Sequence, residues 1–393
     1  MGGNNKPKIC LFWPTLGFGG VETSGLRVAR ELYERGYPVD VVVANARGDL
    51  LSKIPPGVSL VNLRSPLGNG KLVLSVFPLA FYLRRHSPAV IMSSMTEVNL
   101  IAIIARVISG SRCWLVISER STLSIRIKHK LRKRLLPFFV RKFYPLADCI
   151  HAVSQGVAND LAETTGIQRD KIKVVYNPVV SSELFSKSEE PLDHPWFSSG
   201  EPPVVLAVGR LTEAKDFPVL IRAFALVRKE RPARLIILGE GAERPKLEAL
   251  VRELGLNEDV IMPGFVDNPY KYMRNATVFV LSSAWEGFGV VLVEAMALGT
   301  AIVSTDCPNG PAEILEGGKW GDLVTVGDWR ALASAILKRL EQPENERVKM
   351  ATERAKEFRT ESIVTDYFRY LYPNNMMSYD ESKTKINEVD PCS

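Results

Sequence analysis

Val278-Phe-Val-Leu-Ser-Ser-Ala-Trp-Glu-Gly-Phe-Gly-Val-Val-Leu-Val-Glu-Ala-Met-Ala-Leu-Gly299 decides how the chain folds. It opens with an apolar, β-branched run, breaks at Trp285-Glu286-Gly287-Phe288-Gly289, and resumes as strong helix formers that Gly299 ends. The pattern predicts a strand, a glycine-rich loop and a helix. Glu286 falls in the loop and Glu294 two helical turns further on, roughly 12 Å along the axis at about 1.5 Å per residue. That spacing suits the two ends of an elongated ligand, with the free N–H groups of the helix start facing a phosphate between them. Read alone, the pair is equally well a solvated loop acid and a helix-face acid.

The same unit recurs outward in both directions. In the C-terminal half the expected strands are Val204–Val208, Arg234–Leu238, Val260–Met262, Val278–Leu281 and Ala301–Thr305, separated by amphipathic helical patterns. In the N-terminal half Lys8–Trp13, the glycine loop Thr15–Gly20, a helix Val21–Arg35 and Val39–Val43 form a βαβ unit. Strand patterns at Val58–Leu63, Ala89–Ser94, Cys113–Ser118, Cys149–Ser154 and Lys171–Val175 continue it. Between the halves, Ser186–Pro203 holds four prolines among polar residues and reads as a linker. The expected fold class is therefore α/β, with two doubly wound, Rossmann-like domains. Their expected bounds are 1–185 and 204–358, with the linker at 186–203. A helical segment at 359–373 and a polar, disordered tail at 374–393 follow.

Composition bounds the function. The 393 residues are 46% hydrophobic and 24% charged with a formal charge of +6, which is ordinary for a globular protein with a large core. The five cysteines stand isolated, without CxxC or Cys/His ligand spacing, so a reducing compartment is expected and structural zinc is not. The polar N-terminus lacks the pattern of a signal peptide, and no apolar run reaches the roughly 20 residues of a membrane span. A cytoplasmic chain, peripheral on the inner face of the cytoplasmic membrane, is the expectation. The membrane part rests on Ser121–Lys142, where Arg126, Lys128, Lys130, Arg132, Lys133, Arg134, Arg141 and Lys142 meet no acid and interleave with Leu131, Leu135, Leu136, Phe138, Phe139 and Val140. A basic amphipathic helix of this kind suits an anionic surface or a phosphate-bearing lipid. A solvated face over ordinary core explains it equally well. Nucleic acid is not expected, since no nucleic-acid motif accompanies the patch.

Ligands of doubly wound sheets bind outside the carboxyl ends of the strands. In the second half those ends carry Gly209-Arg210-Leu211 with Lys215, Gly239-Glu240-Gly241, Pro263-Gly264-Phe265, the Glu286 loop, and Asp306–Leu315. Arg210 and Lys215 would neutralise a diphosphate, one by its fork and one as a point charge. A dinucleotide-binding dehydrogenase is disfavoured: the third glycine of its fingerprint falls at Glu22, and no acid follows the second strand to hold a ribose.

Taken in order, Gly19-Gly20-Val-Glu22, Gly209-Arg210-Leu211…Lys215-Asp216-Phe217, Gly239-Glu240-Gly241, Gly264-Phe265, Glu286-Gly-Phe-Gly289…Glu294 and Gly310-Pro-Ala-Glu-Ile-Leu315 resemble glycosyltransferase family 4 over nearly the whole chain. The resemblance implies the GT-B fold, with the C-terminal helix crossing back to the N-terminal domain. It implies retaining transfer from a nucleotide-sugar donor. Glu286 is then matched to the sugar hydroxyls, Glu294 to the ribose, Arg210 and Lys215 to the pyrophosphate, and Gly19 and Gly20 to the loop near the β-phosphate and acceptor. Glu240 and Val266 fall on the donor side, Val266 near the base, and Gly287, Phe288 and Gly289 face the diphosphate. Arg210, Lys215 and Glu286 are expected to carry the catalysis. No Asp-x-Asp occurs, and neither metal nor cofactor is expected. One departure stands out: where many relatives carry a histidine, this chain has Ser118-Glu119-Arg120. Glu119 and Arg120 either serve the acceptor or sugar side, the favoured reading, or are structural with Ser118 capping the basic helix.

The implied reaction moves a sugar from UDP, with N-acetylgalactosamine, N-acetylglucosamine and galactose as candidates, to a glycan or polyprenyl-linked acceptor. A sugar-nucleotide epimerase or hydrolase of the same fold, and a non-catalytic nucleotide-sugar-binding partner, are the alternatives.

Overall fold

The computed structural model describes residues 6–371 apart from 18, 67, 69–70, 129–133 and 343–345. The expected tail at 374–393 lies outside the described residues, as do Lys130, Leu131, Arg132 and Lys133. The first sheet contains β1 (Ile9–Trp13), β2 (Val39–Val43), β3 (Ser59–Asn62), β4 (Val90–Ser94), β5 (Trp114–Glu119), β6 (Cys149–Ala152) and β7 (Ile172–Val174), in the order β3-β2-β1-β4-β5-β6-β7. The second contains β8 (Val204–Val208), β9 (Arg234–Leu238), β10 (Val260–Gly264), β11 (Val278–Leu281), β12 (Ala301–Thr305) and β13 (Asp322–Val324), in the order β10-β9-β8-β11-β12-β13. All pairings of named strands are parallel. Strands such as β1, β2 and β11 are buried on both faces, so they read as continuous apolar runs.

Strand order reverses between β1 and β4 and again between β8 and β11. The loops leaving β8 and β11 therefore turn to opposite sides of their sheet, and a crevice opens between them. These are the loops that carry Arg210, Lys215 and Glu286.

Three segments depart from expectation. Residues 186–203 are packed against the second domain: the rings of His194, Trp196, Phe197 and Tyr272 meet edge to face, and Arg234 lies over Trp196. Its aromatic residues, more than its prolines, decide that behaviour. Strand β13 was missed because it is three residues long and follows the glycine-rich turn Gly317–Gly321. Among its described residues the basic segment holds the helices Leu123–Lys128 and Leu136–Phe143, and the second starts where Pro137 suits a first turn.

The helix Thr360–Leu371 does cross back. Its Ile363, Val364, Tyr367 and Phe368 join the core beneath β1 and β2, and the Trp114 indole donates to the Tyr370 carbonyl at 3.1 Å. Just before it, the fully buried Phe358 ties both domains together. Its ring packs on Tyr176 and Phe288, and its carbonyl accepts from the N–H groups of Val179 and Val180 at 3.0 Å each. Phe358→Ala is expected to cost about 3–5 kcal/mol, the range for truncating a buried aromatic; urea unfolding checks this.

Candidate active site

The crevice of the second sheet holds an ion pair. Strand β8 ends at Gly209-Arg210 and continues through a short turn, Glu213–Lys215, whose last carbonyl accepts from Ser282 Oγ at 2.7 Å. That bond fixes Lys215 beside the β11 loop. Its Nζ pairs with the Glu286 carboxylate, which also accepts from Ser283 Oγ at 2.7 Å. Both side chains are mostly enclosed, at 19% and 13% exposure, so the pair is oriented and weakly screened. Arg210 stays exposed at the same strand end.

Two helix N-termini meet across the interdomain cleft. Gly289, at φ 101°, begins the helix Val290–Ala297, and the extended Gly19 begins Gly20–Glu34. Neither start has a side-chain cap. A Cβ on Gly20 would lie 3.9 Å from Val290 Cγ2, so the two helix starts lie close together, and the Glu22 carboxylate turns back on its own N–H in the first of them. With Arg210 and Lys215 they make a strongly anion-seeking place.

The N-terminal domain holds the Glu286 loop in position. Thr122 Oγ1 donates to the Glu286 carbonyl at 3.2 Å and accepts from Asn309 Nδ2 at 2.7 Å, while Ser154 Oγ donates to the Gly287 carbonyl at 2.9 Å. A Cβ on Gly287 would fall 2.1 Å from the Arg120 carbonyl oxygen, so only glycine allows this approach. The Glu313 carboxylate accepts the Gln155 N–H at the start of helix Gln155–Thr165 and the Tyr176 hydroxyl, at 2.9 and 2.8 Å.

Several expected residues sit otherwise than the sequence suggested. Glu119 does not face the cleft: it is fully buried, and its carboxylate accepts from Thr96 Oγ1, Asn99 Nδ2 and the Tyr144 hydroxyl. Burial pushes its pKa up to about 7 against the pull of those donors. Ser118 Oγ is buried without a partner among the described residues and caps no helix. Arg126 is tied to Thr96 and both oxygens of Glu97, an acid from another helix. Phe288 turns its ring away from the crevice, onto Tyr176 and Phe358. Glu240 lies at the end of β9 but is bound by Arg244, whose hydrogen bonds hold its pKa below the usual range. Val266 follows β10 half-buried. The Arg120 guanidinium donates to Asn177 Oδ1 at 2.6 Å, Ser94 Oγ at 3.3 Å and the Tyr367 hydroxyl at 3.5 Å.

Glu294 is buried and paired. Its Oε1 accepts from Arg27 Nη2 at 3.0 Å and the Tyr270 hydroxyl at 3.3 Å, and Arg27 also donates to the Pro178 carbonyl at 3.2 Å. Arg27 and Tyr270 were not singled out from sequence, although an arginine flanked along the chain by the buried Leu26, Val28 and Ala29 was a signal. Glu22 was also missed as a site residue. It lies against Gly19, and burial raises its pKa, while the nearby Arg120 and Arg210 partly offset the rise.

Two doubly wound sheets facing one another, with an anion-seeking cleft between, define the GT-B architecture. A "Glycosyltransferase Family 4" model matches residues 18–183, and a "Glycosyl transferases group 1" model matches residues 189–358. The chain is similar to the N-acetylgalactosamine-N,N'-diacetylbacillosaminyl-diphospho-undecaprenol 4-alpha-N-acetylgalactosaminyltransferase of Campylobacter jejuni, at 33% identity over 70% of this chain and 73% of that one. It is also similar to the lipopolysaccharide 1,6-galactosyltransferase of Salmonella typhimurium, at 34% identity over 46% of this chain and 49% of that one. Among solved structures, Anabaena HepE in complex with UDP and glucose shares the fold, with a TM-score of 0.76 and 24% identity over 93% of this chain and 99% of that one. The chain belongs to glycosyltransferase family 4 and is a glycosyltransferase.

Arg27→Leu leaves the Glu294 carboxylate buried without its cation and is expected to cost about 3–5 kcal/mol, read by chemical denaturation. For Glu119, a folded pKa of about 7 lies above the ordinary value of 4.5. Its contribution to stability is therefore full below pH 4.5 and is lost as the pH rises through about 7. The stability of the wild type relative to Glu119→Gln should fall across that window in thermal denaturation, and a constant difference would contradict it.

Proposed function

We propose that the chain transfers a hexosyl or N-acetylhexosaminyl group from a UDP-sugar, with retention of configuration, to a glycan or polyprenyl-linked acceptor in surface polysaccharide or glycan assembly. The observation that carries this reading is the Glu286 carboxylate held by Lys215 and Ser283 beside two facing helix N-termini and Arg210. In the reaction the acceptor oxygen bonds to the anomeric carbon, the bond from that carbon to the leaving phosphate breaks, and the acceptor's proton passes to the departing diphosphate. Positive charge grows on the sugar and negative charge on the diphosphate. Glu286 reads the sugar hydroxyls. Arg210, Lys215 and the N–H groups at Gly19, Gly20, Gly287 and Gly289 take the diphosphate charge without a resident metal. Glu294, already oriented by Arg27 and Tyr270, holds the ribose, and Val266 lies by the base. Glu240 supports the donor side through its strand end, and Arg120 with Glu22 lines the acceptor side.

The donor class is supported by the UDP bound in the HepE structure, and the lipid-linked acceptor by the printed activity of the Campylobacter relative. No helix among the described residues is long and apolar enough to cross a membrane. An acceptor carried by a lipid is reached from the inner face of the cytoplasmic membrane, where the stretch from Arg126 to Lys142 meets anionic headgroups.

Lys215→Ala and Glu286→Ala are each expected to lower transfer by about 100-fold or more, the loss typical of one stabilising group at developing charge. Circular dichroism should show both variants folded. Normal turnover in both contradicts the assignment. Thermal shifts against a panel of nucleotide sugars identify the donor, and activity unchanged by a chelator is expected.

A further inference from the structure

Helices that follow strands on one face of the first sheet lie side by side: Val76–His86 packs on Thr96–Ser109, and that helix on Leu136–Phe143. A helix on a sheet ordinarily turns an apolar stripe inward and a polar one outward. The inward stripe is present here, with Leu79, Leu83 and Val140 fully buried. The outward stripe is apolar as well. Leu74, Phe77 and Phe81 follow at spacings of three and four and share one side. Phe77 and Phe81 are each 66% exposed. The middle helix is apolar nearly all round and adds Val107 at 62% and Ile108 at 51%, and the third adds Phe138 at 62%. Single exposed apolar residues need no explanation, but this many on three adjacent helices do.

The charge around the patch is strongly one-sided. Residues 71–118 and 134–147 contain eight lysines and arginines and one acid, Glu97, which is bound to Arg126. Arg84, Arg85, Arg112 and Lys142 are exposed among them. Of the acids that border these stretches, Glu119 is buried and Asp148 is bound to Arg106 at 2.8 Å. A surface meant for water carries mixed charge. Phenylalanines amid so large an excess of cations match a lipid interface with anionic headgroups.

We infer that the outer face of these three helices is a membrane-docking surface, which inserts Phe77, Phe81 and Phe138 among the lipids of an anionic leaflet while the surrounding arginines and lysines bind the headgroups. A helix returning from a strand has its N-terminus at the sheet's carboxyl edge, so Leu74 and Phe77 stand beside the cleft. The leaflet then meets the protein at the mouth of the site, where a lipid-borne acceptor emerges. The inference deepens the membrane part of the proposed function, but docking itself does not depend on sugar transfer.

The test is co-sedimentation of the full chain with vesicles of phosphatidylcholine, alone or mixed with phosphatidylglycerol. Binding is expected only with phosphatidylglycerol present. Phe77→Ser and Phe81→Ser together should lower partitioning about tenfold or more, a shift of about 1.4 kcal/mol per factor of ten. Both side chains are exposed, so the variant should fold and keep the wild-type thermal shift with UDP. Arg84→Glu with Lys142→Glu should also weaken binding and blunt its salt dependence. Wild-type partitioning by the double phenylalanine variant overturns the inference. So does sedimentation velocity showing a dimer that the same substitutions dissolve, since the face then belongs to a second copy. Vesicle binding without any thermal shift from UDP would instead contradict the donor reading alone.

Discussion

Everything at the cleft depends on bringing two helix N-termini face to face. Each presents unbonded N–H groups and a partial positive charge, and two such ends repel unless an anion or a carboxylate lies between them. The molecule meets this constraint at the Gly20 start with the Glu22 carboxylate, which lies against Gly19 and bonds its own N–H. It also pins the Glu286 loop from both domains. Thr122 and Ser154 bond its carbonyls from one side, and Ser283 bonds its carboxylate from the other. Gly287 is required because any side chain would collide with the Arg120 backbone.

Beneath that surface the two domains share buried charge. Removing an ion from water costs several kcal/mol unless partners surround it, so a buried pair is a poor source of stability and a strong source of orientation. Arg27 and Glu294 fit this description across the interface, with Tyr270 on the same carboxylate oxygen. The Glu119 cluster does the same within the first domain, where Tyr144, Asn99 and Thr96 hold the end of β5 below Arg120. Each cluster sets the position of the groups that bond to it.

The alternation of apolar strands and amphipathic helices was legible because parallel strands buried on both faces read as unbroken runs. The last helix was legible from Ile363, Tyr367 and Phe368 on one side, and its crossing back from the family resemblance alone. The positions of Arg210, Lys215 and Glu286 followed from the rule that such sheets bind ligands at their carboxyl edge. What sequence could not supply was partner identity across long separations. Glu119 looks like a loop acid until Tyr144 and Asn99 are seen around it, and Arg126 looks unpaired until Glu97 arrives from another helix. Phe288 sits in a glycine loop but packs backward, because Tyr176 and Phe358 offer it an apolar place. Strand β13 and the folded aromatic stretch at His194–Phe197 lack periodicity, so only tertiary packing reveals them.

The central assignment places a donor diphosphate between the facing helix starts, and a crystal structure of the chain with UDP tests it most directly. The β-phosphate is expected within hydrogen-bonding distance of Arg210, of Lys215 and of the N–H groups that open the helix Val290–Ala297, with the ribose at Glu294. UDP bound elsewhere, with the Lys215–Glu286 pair intact and the helix starts unoccupied, would contradict it.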